Sequence, residues 1–373
     1  MKYYIIAGEP SGDLHGSGLI RGLRQADPEA EIRCWGGELM EAEGATLVKH
    51  YRELAFMGFA EVILNLRTIL RNIDFCKKDI SAFKPDAVIF IDYPGFNLRI
   101  AKWAKAKGIP THYYISPQIW AWKENRIRDI RRDVDHMYVI LPFELEYYQN
   151  KHDYKVDFVG HPLIDAIARR PVLDMETFRS KNKLDDRPII ALLPGSRKQE
   201  ISKMLQEMLA VMPEFPEYQF VIAGAPGQDP EFYVPFLSGS GAKLIHNQTY
   251  DLLSAAFAAM VTSGTATLET ALFKVPQVVL YKGSWASYQI AKRIISLKYI
   301  SLVNLIMDQP VVTELIQGEC TPSKITAEVR KLLDPSSRKL MLQKYESLQK
   351  VLGGPGAGQK TADLIYSRCV KKS

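Results

Sequence analysis

Short hydrophobic runs alternate with longer stretches of mixed polarity along most of the chain. In the first half these runs cover residues 3–7, 87–92, 111–115 and 137–141, with helix-like segments such as 18–25 between them. Short buried strands separated by helices are typical of a parallel sheet that carries helices on both faces. We therefore predict such a sheet for the first half of the chain.

The second half repeats this alternation. Its predicted strands cover residues 188–194, 218–224, 258–264 and 276–281, and its predicted helices include 201–215 and 266–273. The stretch 161–187 contains two prolines and several charged residues, which indicates a boundary between domains. We expect an α/β fold of two tandem domains, residues 1–165 and 185–344, with a cleft between them.

Length and composition fit two globular domains. A chain of 373 residues exceeds one ordinary core, and its net charge of +6 suits anionic ligands such as phosphates or acidic lipids. The four cysteines are far apart and form no CxxC pair, so we expect neither a zinc ribbon nor a disulfide framework. The N-terminus does not resemble a signal peptide, and no apolar run reaches ~18 residues. We expect a cytoplasmic protein that can still lie against a membrane surface.

The segment GEPSGDLHGSG (8–18) follows a predicted strand and precedes a helix. Ligands of parallel sheets bind at the carboxyl ends of strands, where glycines and a helix N-terminus can receive an anion. The spacing is neither GxGxxG nor that of a phosphate-binding P-loop. A tight turn with Ser11 or Asp13 as the helix cap accounts for it equally well.

Asp92 closes an apolar run, and a carboxylate is unusual at the end of a buried strand. It can act as a general base in a cleft. Alternatively, it caps the helix that follows.

Two further segments of the first half combine apolar and charged residues. Residues 113–133 contain two tryptophans followed by a run of basic residues, which predicts an aromatic corner before a solvated basic helix, or a surface for phosphate or anionic lipid. Asp133 and Asp135 form a DxD pattern that we interpret as a surface turn and not as a metal site. Residues 54–73 are predicted to form an amphipathic helix whose surplus apolar residues suit either the core or an acyl-chain surface.

Two strand-to-helix turns of the second half suit phosphate binding. Arg197 in LPGSRKQEI has a planar guanidinium that can pair with two oxygens of a diphosphate. SGTATLETALF (263–273) begins another helix with small and hydroxyl residues, so its N–H groups can meet a phosphate. Glu269 can accept both hydroxyls of a ribose, or it is simply a favourable charge in the first turns of a helix.

Taken together, these strings resemble the lipid-A-disaccharide synthase family, which consists of inverting glycosyltransferases of the GT-B class. The resemblance covers nearly the whole chain and rests on GEPSGD, MGFAEV, DYPGFN, SPQIWAW, LPFE, FVGHPL, LPGSR, SGTATLE and LVNLI, in the family's order. It implies two Rossmann-like domains, an acceptor- and lipid-binding one completed by a C-terminal helix (345–373) and a UDP-sugar-binding one. It also implies transfer from UDP-2,3-diacylglucosamine to 2,3-diacylglucosamine 1-phosphate (lipid X), giving the β-1,6 lipid A disaccharide and UDP.

The resemblance also implies roles for individual residues. Asp92 would be the catalytic base, although Gly95 stands where many members carry a second aspartate. The residues implied on the UDP side are Ser196, Arg197, Glu200, Ser263, Gly264, Thr265, Ala266, Glu269 and Asn304. Those implied on the acceptor and lipid side are Glu9, Ser11, Gly12, Asp13, Phe56, Met57, Phe59, Trp120 and Trp122.

No metal and no cofactor is implied, because Arg197 and the helix N-termini can neutralise the leaving diphosphate. The implied place of action is the cytoplasmic face of the inner membrane, with its anionic surface as a partner; nucleic acid is not expected, and an oligomer remains possible. Two other functions stay open: a UDP-sugar 2-epimerase on the same scaffold, and a non-catalytic sugar-nucleotide- or lipid-binding protein. The apolar residues of 56–73 and the two tryptophans speak against the epimerase.

Overall fold

The computed structural model describes residues 1–54, 66–283 and 298–371. The chain forms two units. The first contains the residues up to Arg169 and those from Leu352 onward, and the second runs from Arg170 to Val351.

A seven-stranded parallel sheet forms the centre of the first unit, in the order β3-β2-β1-β4-β5-β6-β7. Its strands are β1 (Lys2–Ala7), β2 (Glu31–Gly36), β3 (Thr46–His50), β4 (Ala87–Ile91), β5 (Thr111–Tyr114), β6 (His136–Val139) and β7 (Asp157–Phe158). The helices up to Arg169 are α1 (Pro10–Ala26), α2 (Glu38–Ala42), α3 (Leu66–Phe83), α4 (Pro94–Ala106), α5 (Ile127–Asp133), α6 (Pro142–Glu146) and α7 (Pro162–Ala168). All of β4 is buried, as expected for a central strand with both faces covered.

The second unit contains a six-stranded parallel sheet in the order β10-β9-β8-β11-β12-β13. Its strands are β8 (Ile189–Leu193), β9 (Gln219–Gly224), β10 (Lys243–His246), β11 (Ala256–Thr262), β12 (Gln277–Tyr281) and β13 (Thr313–Ile316). Its helices are α8 (Met175–Lys181), α9 (Lys198–Leu209), α10 (Val234–Leu237), α11 (Thr249–Ala255), α12 (Thr265–Leu272), α13 (Leu302–Met307), α14 (Pro322–Leu333) and α15 (Pro335–Val351).

The eight strands predicted from apolar runs are all present and belong to parallel sheets. The apolar runs do not reveal β2, β3, β7, β10 and β13. Most of these lie at or near sheet edges, where polar and half-exposed side chains interrupt the apolar run.

The return of the chain to the first unit begins later than the predicted helix 345–373. Residues 345–351 belong to α15 of the second unit, and the returning helix is α16 (Ala357–Val370). The helix cannot run through the intervening GGPG, because Gly353 and Gly356 have φ values of +86° and +113°. α16 packs closely on α1, where a Cβ on Gly22 would lie 2.9 Å from the Cβ of Ala362.

Candidate active site

Asp92 directly follows β4 and has an unusual backbone conformation. Its φ is +43°, and that of Tyr93 is +49°. Residues other than glycine avoid this left-handed region, which costs on the order of 1–3 kcal/mol per residue and persists only where surrounding contacts enforce it. Such strain is concentrated at functional sites, so the turn after β4 is a candidate for one.

Two buried side chains hold this turn in place. The Nδ2 of Asn97 donates to the carbonyl oxygens of Asp92 at 2.7 Å and of Ile6 at 3.4 Å, which links the ends of β4 and β1. The hydroxyl of Tyr113 donates to the same Asp92 carbonyl at 2.6 Å. Both side chains thereby fix the Asp92 backbone without using its carboxylate. The sequence motifs give no separate role to Asn97 or Tyr113.

The carboxyl of Asp92 is only half-buried, yet its surroundings disfavour the charged form. Desolvation, together with the negative charges of Glu9 and Glu144, raises the pKa of Asp92 to about 7, and a hydrogen bond from the Tyr93 backbone opposes this rise. A carboxyl with a pKa near neutrality is well suited to take a proton from an alcohol.

Glu144 is a buried carboxylate near Asp92, and it is 1% exposed. Its Oε1 accepts from Ser116 Oγ at 2.5 Å and from Trp120 Nε1 at 3.1 Å, while its Oε2 accepts the backbone N–H of Leu141 at 3.0 Å. This network connects the loop after β5 to the loop after β6 and fixes the Trp120 indole. Glu144 is a site residue that sequence reasoning missed, although it ends the LPFE string.

The two predicted tryptophans have different surroundings. Trp120 is half-buried and packs edge-on against Phe143, with 4.9 Å between the ring centroids. Trp122 is 47% exposed, and the Nζ of Lys123 and the guanidinium of Arg126 lie 4.3 Å and 5.7 Å from its ring centre. Trp122 therefore presents an aromatic ring within a basic surface.

In the GEPSGD turn, Asp13 has a different role from the one that its motif suggests. α1 begins at Pro10 without a side-chain cap, so neither Ser11 nor Asp13 caps it. The Asp13 carboxylate is 2% exposed and accepts the N–H groups of Gly37, Leu39 and Met40 at 2.8–3.2 Å, which caps α2 instead. The Asp13 carboxylate is therefore used for hydrogen bonds within the protein interior.

The other residues of this turn line the start of α1. Glu9 and Ser11 are exposed. A Cβ on Gly12 would lie 3.0 Å from the Cβ of Ala7, so the lack of a side chain lets α1 approach the end of β1 closely. Phe56, Met57 and Phe59, predicted on the lipid side, lie outside the described residues.

The DxD pattern is not the surface turn that the sequence predicts. Asp133 is 3% exposed and pairs with Arg132 at 2.6 Å, and Asp135 accepts the backbone N–H of Thr111 at 3.0 Å. The Asp135 carboxylate thereby joins the residue before β6 to the start of β5 in the first unit. Across the described ranges, no group of three or more His, Cys, Asp or Glu side chains is arranged to hold a metal ion.

In the second unit, the loop after β8 carries the LPGSR residues. Gly195 has a φ of +107°, and a Cβ there would overlap the Glu200 carboxylate. That carboxylate accepts the Ser196 N–H at 3.1 Å and so closes the loop. Arg197 is the exposed N-cap residue of α9, and within the described part of the chain its side chain has no hydrogen-bond or ion-pair partner. Its guanidinium is available to an anion.

The loop after β11 has the second predicted anion site. The Ser263 hydroxyl donates to the carbonyl of Ile300 at 2.8 Å, which fixes the loop. Gly264 is the N-cap residue of α12, and the exposed Thr265 and half-buried Ala266 form its first turn. Backbone N–H groups in a first turn have no partner within the helix and can donate to a phosphate.

Glu269 is half-buried on α12, and its Oε1 accepts the hydroxyl of Tyr250 at 2.8 Å. Desolvation raises the pKa of Glu269, and the hydrogen bond from Tyr250 opposes that rise. Tyr250 belongs to none of the motifs and was missed by sequence reasoning.

Both amide atoms of Asn304 make hydrogen bonds within the protein. Its Oδ1 accepts the N–H groups of Val311 and Val312 at 2.8 and 3.0 Å, and its Nδ2 donates to Glu314 and to the Val312 carbonyl at 2.9 Å. Since it is 1% exposed, Asn304 shapes the 300–314 segment and is not placed for direct contact with a ligand.

Comparison with known proteins agrees with the motifs. A family model described as lipid-A-disaccharide synthetase matches residues 3–362. The chain belongs to this family. Within it, the lipid-A-disaccharide synthase of Syntrophus aciditrophicus is 41% identical over 377 residues, covering 99% of this chain and 98% of that protein.

Solved structures show the same fold at much lower identity. UDP-GlcNAc 2-epimerase from Neisseria meningitidis, bound to UDP-GlcNAc, matches with a TM-score of 0.67 at 14% identity over 100% of both chains. The calicheamicin glycosyltransferase CalG4 matches with a TM-score of 0.61 at 16% identity, covering 100% of this chain and 99% of that one. The predicted fold class, two Rossmann-like parallel-sheet domains as in GT-B glycosyltransferases, is confirmed.

Proposed function

We propose that this family member is a lipid-A-disaccharide synthase. It joins UDP-2,3-diacylglucosamine to the 6-hydroxyl of 2,3-diacylglucosamine 1-phosphate and releases UDP. The observation that carries the proposal is Asp92, a strained residue at the end of β4 whose pKa is raised to about 7. The family match over residues 3–362 supports the proposed substrate class.

The reaction is a single displacement with inversion at the anomeric carbon. Asp92 takes the proton of the acceptor 6-hydroxyl, whose oxygen forms the bond to the anomeric carbon. The bond from that carbon to the UDP oxygen breaks at the same time, and its electron pair leaves with UDP. The first turn of α12 and the guanidinium of Arg197 stabilise the charge on the leaving diphosphate.

The substrates carry acyl chains, so the protein must work at a lipid surface. We assign this contact to Trp122 with Lys123 and Arg126, because an exposed indole among cations suits the interface of an anionic bilayer. In the part of the chain that the structure describes, none of the helices combines the length and apolar character needed to cross a bilayer. We propose peripheral binding at the cytoplasmic face of the inner membrane.

The pH dependence of the reaction follows from the pKa of Asp92. Only the ionised carboxylate can accept the proton, so kcat/KM should fall as the pH decreases through about 7. Well below the pKa we expect a loss of about tenfold per pH unit, and above about pH 8 a plateau. Initial rates at substrate concentrations well below KM check this, and a flat profile between about pH 5 and about pH 8 would contradict the base assignment.

The decisive test of the function is disaccharide formation by the purified protein from the two acylated glucosamines in mixed micelles. We expect the disaccharide 1-phosphate and UDP in equal amounts. A parallel incubation with UDP-GlcNAc alone should yield no epimer. Epimer without disaccharide would establish the epimerase alternative, and UDP binding without any product would establish a non-catalytic protein.

A further inference from the structure

Tyr250 makes a direct contact with the proposed ribose-binding carboxylate. It is the second residue of α11, which follows β10, whereas Glu269 lies on α12, which follows β11. These strands are not neighbours in the sheet, yet the Tyr250 hydroxyl lies 2.8 Å from Glu269 Oε1. The contact therefore joins the N-terminal parts of two helices that begin at the carboxyl end of the second sheet.

Tyr250 is itself held from two sides. The guanidinium of Arg170 lies 5.2 Å from its ring centre and pairs with Asp251. The ring of Phe273 packs against it with 5.2 Å between the centroids. A phenol clamped in this way presents its hydroxyl in one direction, so Glu269 receives a fixed donor.

The hydrogen bond leaves half of the carboxylate for a ligand. Among the described residues, the Oε2 of Glu269 has no protein donor, while Oε1 is occupied by Tyr250. An unrestrained glutamate would sample several rotamers, and ordering it would cost binding free energy. With Oε1 fixed, Oε2 is oriented before the ligand arrives.

We propose that Tyr250 is a positioning residue for the donor nucleotide: it orients Glu269 toward the ribose hydroxyls and thereby makes the site select nucleotides with an intact ribose diol. This rests on the proposed function, which places the UDP ribose at Glu269. The ligand class is a nucleoside diphosphate whose 2′- and 3′-hydroxyls donate to a carboxylate.

The test compares binding of UDP with that of 2′-deoxy- and 3′-deoxy-UDP by calorimetry. Since a hydrogen bond to a charged group contributes roughly 1.5–3 kcal/mol, we expect the wild type to lose about 10- to 100-fold in affinity when the relevant hydroxyl is absent. In Tyr250→Phe, UDP should bind ~3- to 10-fold more weakly, and its discrimination from the deoxy analogues should fall by about the same factor. The donor KM should rise while kcat stays within about twofold.

Two further variants separate positioning from general damage. Tyr218→Phe removes a hydroxyl just before the amino end of β9, away from the carboxyl ends of the strands, and should keep wild-type discrimination. In a Glu269→Gln background, Tyr250→Phe should have little additional effect, because the carboxylate that it orients is gone.

Failures of the two proposals are distinguishable. A wild-type protein that does not bind UDP, or binds it no better than the deoxy analogues, overturns both the donor site and the role of Tyr250. If Glu269→Gln abolishes the discrimination between UDP and its deoxy analogues but Tyr250→Phe leaves it intact, only the positioning role is overturned.

Discussion

Replacing Asp92 by asparagine should lower kcat about 1,000-fold, within the range expected when a general base is removed. Asparagine has nearly the same shape, tolerates the left-handed backbone and keeps the carbonyl that Asn97 and Tyr113 bind. It cannot accept the proton of the 6-hydroxyl. UDP affinity should stay within about twofold, because the second unit carries the proposed donor residues.

The measurement is disaccharide formation under single-turnover conditions together with UDP calorimetry. Asp153→Asn is a matched control, since Asp153 has a similar φ of +46° but is exposed. It should behave as the wild type. If Asp92→Asn retains more than about a tenth of the wild-type rate, another group is the base.

Replacing Arg197 by alanine should lower kcat/KM about 100-fold or more, because one charged donor to the leaving group is lost. The guanidinium has no other partner within the described residues, so its removal leaves no unpaired carboxylate and should not alter stability. Both donor KM and kcat are affected, since the diphosphate is bound in the ground state and gains charge in the transition state.

Steady-state kinetics and thermal unfolding check this prediction. Arg197→Lys should recover only part of the activity, because an ammonium cannot form the bidentate contact. Lys203→Ala removes an exposed cation further along α9 and serves as the control for charge. Wild-type kinetics in Arg197→Ala would remove this residue from the site.

The sequence is most informative where a residue conflicts with its surroundings. Asp92 at the end of an apolar run is such a conflict, and the structure adds the strained backbone and the raised pKa. Fully buried central strands such as β4 are also predictable, because burial on both faces leaves a continuous apolar run.

What the sequence does not reveal depends on contacts between distant segments. Tyr250 contacts Glu269 only because the helices that follow two non-adjacent strands come together, and Asn97 bridges Asp92 and Ile6 across the sheet. Asp13 shows the opposite case, in which a motif residue caps a helix more than twenty positions away. Side chains of this kind follow no local spacing rule, so pattern alone cannot assign them.

The first unit is built from two stretches of the chain that are separated by the whole second unit, and this has a consequence for biosynthesis. α16 packs on α1, although the whole second unit is translated between them. At about 5–20 residues per second, the ribosome needs ~10–40 s to make the second unit after Arg169 has been added. During that interval the α1 surface that α16 covers stays open, and the second unit can fold first. The first unit is therefore completed last, by a helix that becomes available only after all of the second unit has been made.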